Sequence, residues 1–477
     1  MSTNASYGVP YSPSQASKFD GPRTIDELKS DGIKYIRLTW VDLVNNIRYR
    51  VIPLAYFAKL LESPRPGITI GKIVLGLVFL TQAEGFGPVG EYLYVPDMAT
   101  LRKCPYAPGH ASVMGFFQEK EQNELGSFSV DLCPRTMLQR VVQDAKKTCN
   151  VEFLVGVETE FILLKSVDPI EAVNNHGWSN SPALPSGAVE TKVLEEIADS
   201  LQEAGIELQM YHAEAAPGQY EVITGPLTPL EACDALVFTR ETIYNTASKH
   251  GLRATLAPRV FGHSCGSGAH THVSIHSSSP PSLPPSTSPA LPALSASFLQ
   301  GLLTALPPLC ALTLPTEASY ARMLDGVWSG GTYVAWGTDN REAPVRLCPA
   351  SSPHFEIKCV DGTCCPYVAF AGLLGAGLQG VKDKQALNIG ECKDVAPALL
   401  SEQERERLQI RARMPKSIAE ARERLCGVEG RVIRQVLGEH VVQAYVNVNK
   451  VCNVRLCSLR ELISSTDVGA VPWRRVG

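Results

Sequence analysis

Glu158 and Glu160, Glu214 and Glu221, His270 and His272, and Glu356 are the residues whose types and spacing could do chemistry, in four short clusters between Gly156 and Tyr367. In a strand, residues i and i+2 face the same way. Glu158 and Glu160 can therefore present two carboxylates side by side, and His270, His272 and Ser274 can present their polar groups likewise. Like charges held that close call for cations between them. Together the clusters spell a two-metal site of the kind used for phosphoryl transfer.

Each piece alone has a plainer reading. An acidic pair on a strand is commonly a solvated face or a structural ion pair. Here the flanks Phe153-Leu154-Val155 and Phe161-Ile162-Leu163-Leu164 are apolar, so the strand is expected to be buried, where unpaired charge costs several kcal/mol. The run from His212 to Glu221 places a Pro217-Gly218 bend between two glutamates, which lets both carboxylates converge; a surface hairpin would read the same way. Gly266-Ser267-Gly268 suits a loop whose backbone approaches a ligand closely, and a lone His270 is more often structural than a ligand.

The elements that must position these groups form two units. From 23 to 117 the pattern is short and strand-rich: Tyr35 to Val41 alternates, Ile47 to Val51 follows a turn at Asn45-Asn46, and Tyr92 to Val95 follows Gly90. After the charged connector Gln118 to Gly126, Pro134 opens an amphipathic helix through Lys147. The larger unit, 127–477, is expected to alternate strands (Phe153 to Lys165, Gln209 to Tyr211, Glu221 to Ile223, His270 to His276) with helices (Val189 to Ala204, Leu230 to His250). That pattern predicts antiparallel sheet with flanking helices. Residues 277–297 are rich in Pro and Ser without charge and read as a solvated loop unable to pack a core. Ser401 to Leu425 reads as exposed helices, and residues 1–22 as a flexible tail without the features of a signal or transit peptide.

Composition sets further bounds. The 477 residues are 44% hydrophobic with a net charge of -4, enough for large cores and contrary to nucleic-acid affinity. The most apolar stretch, Ile68 to Leu80, contains Lys72 and falls short of the ~20 residues of a spanning helix, so no membrane span is expected. The 14 cysteines are scattered, and Cys364-Cys365 suits neither an ordinary disulfide nor a zinc knuckle. A reduced, cytoplasmic chain follows.

From about Asp26 to about Glu461 the chain resembles the glutamine synthetase family. The resemblance rests on Gly156-Val157-Glu158-Thr159-Glu160-Phe161, Pro217 to Glu221, Gly266 to His272, Ser319-Tyr320-Ala321-Arg322, Asn340-Arg341, Arg346 and Pro366 to Phe370, in that order. Val334 to Arg341 and Asn388 to Cys392 look most like the type I-like branch of fungi and of bacterial γ-glutamyl-amine ligases. The resemblance implies an α+β fold: a small N-terminal β-grasp-like domain and a large antiparallel-sheet α/β catalytic barrel. It implies one divalent cation on Glu160, Glu214 and Glu221 and a second on Glu158, His270 and Glu356, with oxygen-rich ligation favouring Mg²⁺ or Mn²⁺. His272, Ser274, Arg341 and Arg346 match nucleotide-contacting positions, with Arg341 also touching the transferred phosphate. Gly266, Arg322 and Lys358 match positions around the acidic substrate. Asp42 matches the residue that deprotonates ammonium across a subunit boundary, in a ring whose active sites lie between subunits; from the residues alone it could equally cap the turn before Asn45-Asn46.

The implied activity is ATP-dependent ligation: a side-chain carboxylate of a glutamate-like acid is phosphorylated, then captured by ammonia or an organic amine. Departures from the family pattern bear on the amine. Gly326-Val327-Trp328-Ser329-Gly330-Gly331 carries no carboxylate, and Trp328 stands about where ammonia-using members have a glutamate. An indole offers a cation-π face suited to a substituted amine, unless Trp328 is packing. Cys265 stands for an asparagine, Lys358 for an arginine, whose fork it lacks, and Cys364-Cys365 for a small residue and an asparagine. A scaffold that kept the assembly and lost the chemistry is the alternative, although retaining buried carboxylates without a cation would be destabilising.

Overall fold

The computed structural model describes residues 7–14, 24–175, 181–327, 329–349 and 351–465. Its backbone is mixed α/β in two units. In the smaller, the strand Tyr35–Val41 pairs antiparallel with Ile47–Pro53 and parallel with His110–Val113, which pairs in turn with Arg102–Lys103. Asn45 takes the left-handed backbone at the hairpin tip, φ 68°, a conformation asparagine tolerates. Ile36, Leu38, Trp40, Phe57, Tyr94 and Phe117 fill this unit's core.

The larger unit is organised on one sixteen-residue strand, Glu152–Val167. Around it the sheet runs in the order Leu208–Ala213, Gln219–Leu227, Glu152–Val167, Thr271–His276, His354–Ile357, Val345–Cys348, Trp336–Thr338. All pairs along this path are antiparallel except the last, which is parallel. Among the described residues no pairing joins the two ends, so the expected barrel is seen as an open sheet. Strand alternation sorts the central strand: Phe153, Val155, Val157, Phe161 and Leu163 belong to the main core, whereas Glu158 and Glu160 take the opposite face.

Helices back the sheet. Pro134–Cys149, Pro229–Lys249 and Pro366–Lys382 each open on a proline, where the missing N–H costs no hydrogen bond. Ala293–Thr313 lies against Pro366–Lys382 so closely that a Cβ on Gly301 would sit 2.6 Å from the Ala376 carbonyl oxygen. Only glycine permits that approach.

Four further expectations change. Residues 277–297 are not loop throughout: Leu291 is in the core and Ala293 to Ser297 begin the long apolar helix, whose N-cap is Pro292. That helix, not Ile68 to Leu80, is the one long and apolar enough to cross a membrane among the described residues, and it is largely buried inside the protein. Of the region read as exposed helices, Glu402–Arg407 buries nothing, but Ile418, Ala421 and Leu425 of the next helix are buried. Within the expected free tail, the Ser351 amide donates to the Tyr7 carbonyl, and the Tyr11 hydroxyl donates to Glu207 at 2.5 Å.

The two units are tied by buried polar contacts. Arg240 donates to Asn45 Oδ1 at 3.0 Å, and Asn45 Nδ2 donates to the Gly362 carbonyl at 2.9 Å. Arg135 forks onto Asp234 at 3.0 and 2.8 Å and reaches Asp97 of the smaller unit at 3.0 Å.

Candidate active site

The functional face of the large sheet is built by period-two alternation on adjacent strands. Glu160 is directly opposite Glu221, and Glu221 is opposite His212. His272 pairs with Glu356, and Glu356 with Arg346. Residues far apart in sequence thus share one surface because strand register places them there.

All six expected cation ligands meet in this patch. His270 Nδ1 lies 2.8 Å from Glu158 Oε2, 3.4 Å from Glu356 Oε1 and 3.7 Å from Glu160 Oε1. Glu214 and Glu221 flank His212, at 3.4 Å from Nδ1 and 3.3 Å from Nε2. The electrostatics register the crowding. Burial, then the charge of Glu160, pushes the Glu214 carboxyl up to about 7. Burial and the charges of Glu158, Glu160 and Glu214 push Glu221 up to about 8, against the hydrogen bond from His212. The same bond to Glu221 lifts the His212 imidazole to about 9. Glu158 goes the other way: despite burial, His272 and His270 hold it well below the ordinary carboxylate range.

This donor set fits divalent cations. Glu356 Oε2 is buried without a hydrogen-bond partner; Arg346 Nε stands 2.8 Å away but in ion-pair rather than hydrogen-bond geometry. Carboxylate oxygens with one imidazole are what Mg²⁺ and Mn²⁺ take.

Around the carboxylates lie the expected cationic groups. Arg322 is buried; its Nη1 donates to the Lys358 and Val360 carbonyls at 3.3 and 3.4 Å, and Nη2 stands 3.4 Å from His270 Nε2. Lys358 Nζ reaches Glu356 Oε1 at 3.3 Å. A Cβ on Gly266 would lie 2.7 Å from Arg322 Cβ, and one on Gly268 would lie 2.6 Å from His270 Nε2. The glycines make room for His270 and Arg322, a reason more specific than a generic ligand loop.

His272 meets Glu158 Oε1 at 3.0 Å. Burial would discharge this imidazole, but Glu158 and the bonds to Cys348 and Glu158 raise it to about 10. Ser274 stands further along the strand, its hydroxyl 2.8 Å from His276 Nε2. Arg341 is exposed in the turn after Trp336–Thr338, and no hydrogen bond among the described residues ties it to the cluster. Asp42 is not brought to the cluster within one chain: Oδ1 accepts from the Val44 and Asn46 amides, and Oδ2 from Asn46 Nδ2 and from Arg48 Nε at 2.8 Å. Its contacts here are those of the turn cap. Trp328 lies outside the described residues.

Sequence reading missed four groups. His212 sits two residues before Glu214, the same signal that picked out Glu158 and Glu160. Gln219 Nε2 reaches Glu160 Oε2 at 2.9 Å and the Gly266 carbonyl at 3.1 Å, joining two clusters. Cys348 and His354 face each other across a strand pair, a relationship no local pattern carries. Every cysteine among the described side chains is free of disulfides.

The chain has known relatives in sequence and in fold. The family described as "Glutamine synthetase, catalytic domain" matches residues 131–460. Protein fluG of Emericella nidulans is 33% identical over 96% of this chain, which spans 52% of that relative, about half its length. Glutamine synthetase of Methanocaldococcus jannaschii is 30% identical, covering 90% of this chain and 93% of its own. Gamma-glutamylpolyamine synthetase GlnA3 of Streptomyces coelicolor is 29% identical over 76% of this chain and 78% of its own. Among solved structures, that titled "GmaS/ADP complex-Conformation 1" superposes with a TM-score of 0.75 at 22% identity, covering 92% of this chain and 97% of its own, a likeness of fold.

Proposed function

Because this chain belongs to the glutamine synthetase family, we propose that it is an ATP-dependent carboxylate-amine ligase acting on glutamate or a close analogue. The observation that carries the reading is the convergence of Glu158, Glu160, Glu214, Glu221, His270 and Glu356 on one face of the sheet.

Glu160, Glu214 and Glu221 would hold one divalent cation, and Glu158, His270 and Glu356 the second. When bound, the cations supply positive charge where a phosphoryl group passes from ATP to the acid's side-chain carboxylate. Arg322 would grip the substrate's α-carboxylate, since a guanidinium meets a carboxylate with two parallel hydrogen bonds. Arg346, already balanced on Glu356, and His272 would face the nucleotide, with Ser274 further along. Arg341 would reach the phosphate from its exposed turn. Lys358 holds Glu356 in place. An amine then attacks the acyl phosphate and phosphate leaves, in a site that must exclude water.

The amine would need a proton acceptor. Asp42 would serve a neighbouring subunit's site in a ring-shaped homo-oligomer, a reading that accommodates its distance from the cluster in its own chain. The small unit, a hairpin extended by a parallel strand, is consistent with a β-grasp-like domain. Relatives include both glutamine synthetases and a γ-glutamylpolyamine synthetase, and the carboxylate-free flap around Trp328 favours a substituted amine. Phosphate release with ATP, Mg²⁺ and glutamate, compared between ammonium and a panel of di- and polyamines, tests this. Turnover with an amine is expected; none with any acid and amine would leave a scaffold.

A further inference from the structure

Beside the oxygen-rich cluster lies a second, chemically different group of donors. Cys348 ends its strand directly opposite His354, and His272 occupies the next strand over. One imidazole nitrogen from each histidine and the sulfur all lie within 4.8 Å of one another, and the two rings are 5.0 Å apart. We propose that His272, Cys348 and His354 form a site for a borderline-soft divalent cation, Zn²⁺ above all, separate from the carboxylate sites.

Three observations support it. First, the donor chemistry is wrong for Mg²⁺ and right for zinc: thiolate and imidazole are soft or borderline ligands, and three of them with an open fourth position is a recurrent zinc arrangement. Bond lengths of about 2.3 Å to sulfur and about 2.0 Å to nitrogen put ligand atoms roughly 3.3 to 3.5 Å apart, so closure from the present spacing needs only side-chain adjustment. Second, the Ser352 carbonyl can only accept, so the 2.8 Å contact from His354 Nδ1 places the proton there. In the neutral tautomer this contact selects, the lone pair lies on Nε2, the arrangement in which backbone carbonyls hold metal-ligating histidines. Third, a positive charge stands beside the sulfur and favours the thiolate, the form that binds metal: Arg346 Nε touches Cys348 Sγ at 3.4 Å, and its own charge is balanced by Glu356.

His272 is shared between this site and Glu158. Zinc occupancy would draw it off Glu158 and make the site inhibitory, a consequence that rests on the ligase reading; cation uptake does not.

The test uses the full chain with Mg²⁺ saturating the hard sites and Co²⁺ as a coloured stand-in for Zn²⁺. The expected result is tetrahedral cobalt absorption with a thiolate-to-cobalt charge-transfer band at one ion per chain, bleached by Zn²⁺. Cys348→Ser removes the band, and His354→Ala weakens cobalt binding by about tenfold or more, with circular dichroism checking that each variant folds. Should Cys348→Ser fail to fold, Cys348→Ala carries the comparison. Absence of the band in the parent chain, its persistence without Cys348, or indifference to His354→Ala overturns the proposal.

Discussion

Glu160 and Glu221 stand directly opposite each other across an antiparallel strand pair, two buried carboxylates in register. Like charges so placed destabilise a sheet, and the positions make sense when a cation lies between them.

A pH dependence follows. Glu214 and Glu221 titrate at about 7 and about 8 in the folded chain, above the ordinary 4.5, and His212 at about 9 instead of 6.5. In each case the folded state binds more protons than the unfolded one over the interval, so stability falls as pH rises through it. Cations displace those protons. The thermal midpoint of chelator-treated protein is therefore expected to fall between about pH 5 and about pH 9, while the increment given by Mg²⁺ or Mn²⁺ grows. An increment that shrinks with pH would remove these carboxylates as ligands.

Glu356 touches His270, Lys358 and Arg346 at once. Glu356→Ala leaves the buried Lys358 and the half-buried Arg346 without their common carboxylate partner and deletes a proposed ligand. Metal-dependent ATP consumption with glutamate is expected to drop by about 10²-fold or more, measured on variant protein whose folding is confirmed by circular dichroism.

Asp234 accepts the Arg135 fork and the Tyr367 hydroxyl, at 2.6 Å for the latter. Asp234→Ala strands a buried guanidinium with Asp97 as its remaining carboxylate partner and should cost about 3 kcal/mol in denaturant unfolding. A loss below about 0.5 kcal/mol, the range of ordinary surface substitutions, would contradict the network's structural role.

Trp328→Glu places a carboxylate in the flap that has none. Apparent affinity for ammonium is expected to improve and that for polyamines to weaken, read from phosphate release in matched titrations. Unchanged selectivity would assign Trp328 to packing.

How much of this was legible beforehand depended on the range of the signal. The central strand and its two carboxylates were readable because alternation is local: Phe153 to Leu164 declares burial while Glu158 and Glu160 interrupt it. The start of the helix at Ala293 was not, since a Pro/Ser run without charge masks a proline N-cap. Cys348 with His354, and Glu160 with Glu221, depend on strand register, which the chain specifies only through its whole core. Asp42 illustrates the converse: its turn-capping bonds are local and were anticipated, whereas a role in a neighbouring subunit is a property of assembly.

The most direct measurement follows oxygen. Glutamate carrying heavy-isotope oxygen in its side-chain carboxylate is supplied with ATP, Mg²⁺ and an accepted amine, and the released phosphate is analysed by mass spectrometry. An acyl-phosphate route transfers a carboxylate oxygen to phosphate, so labelled phosphate should form in step with amide; turnover releasing only unlabelled phosphate would contradict it.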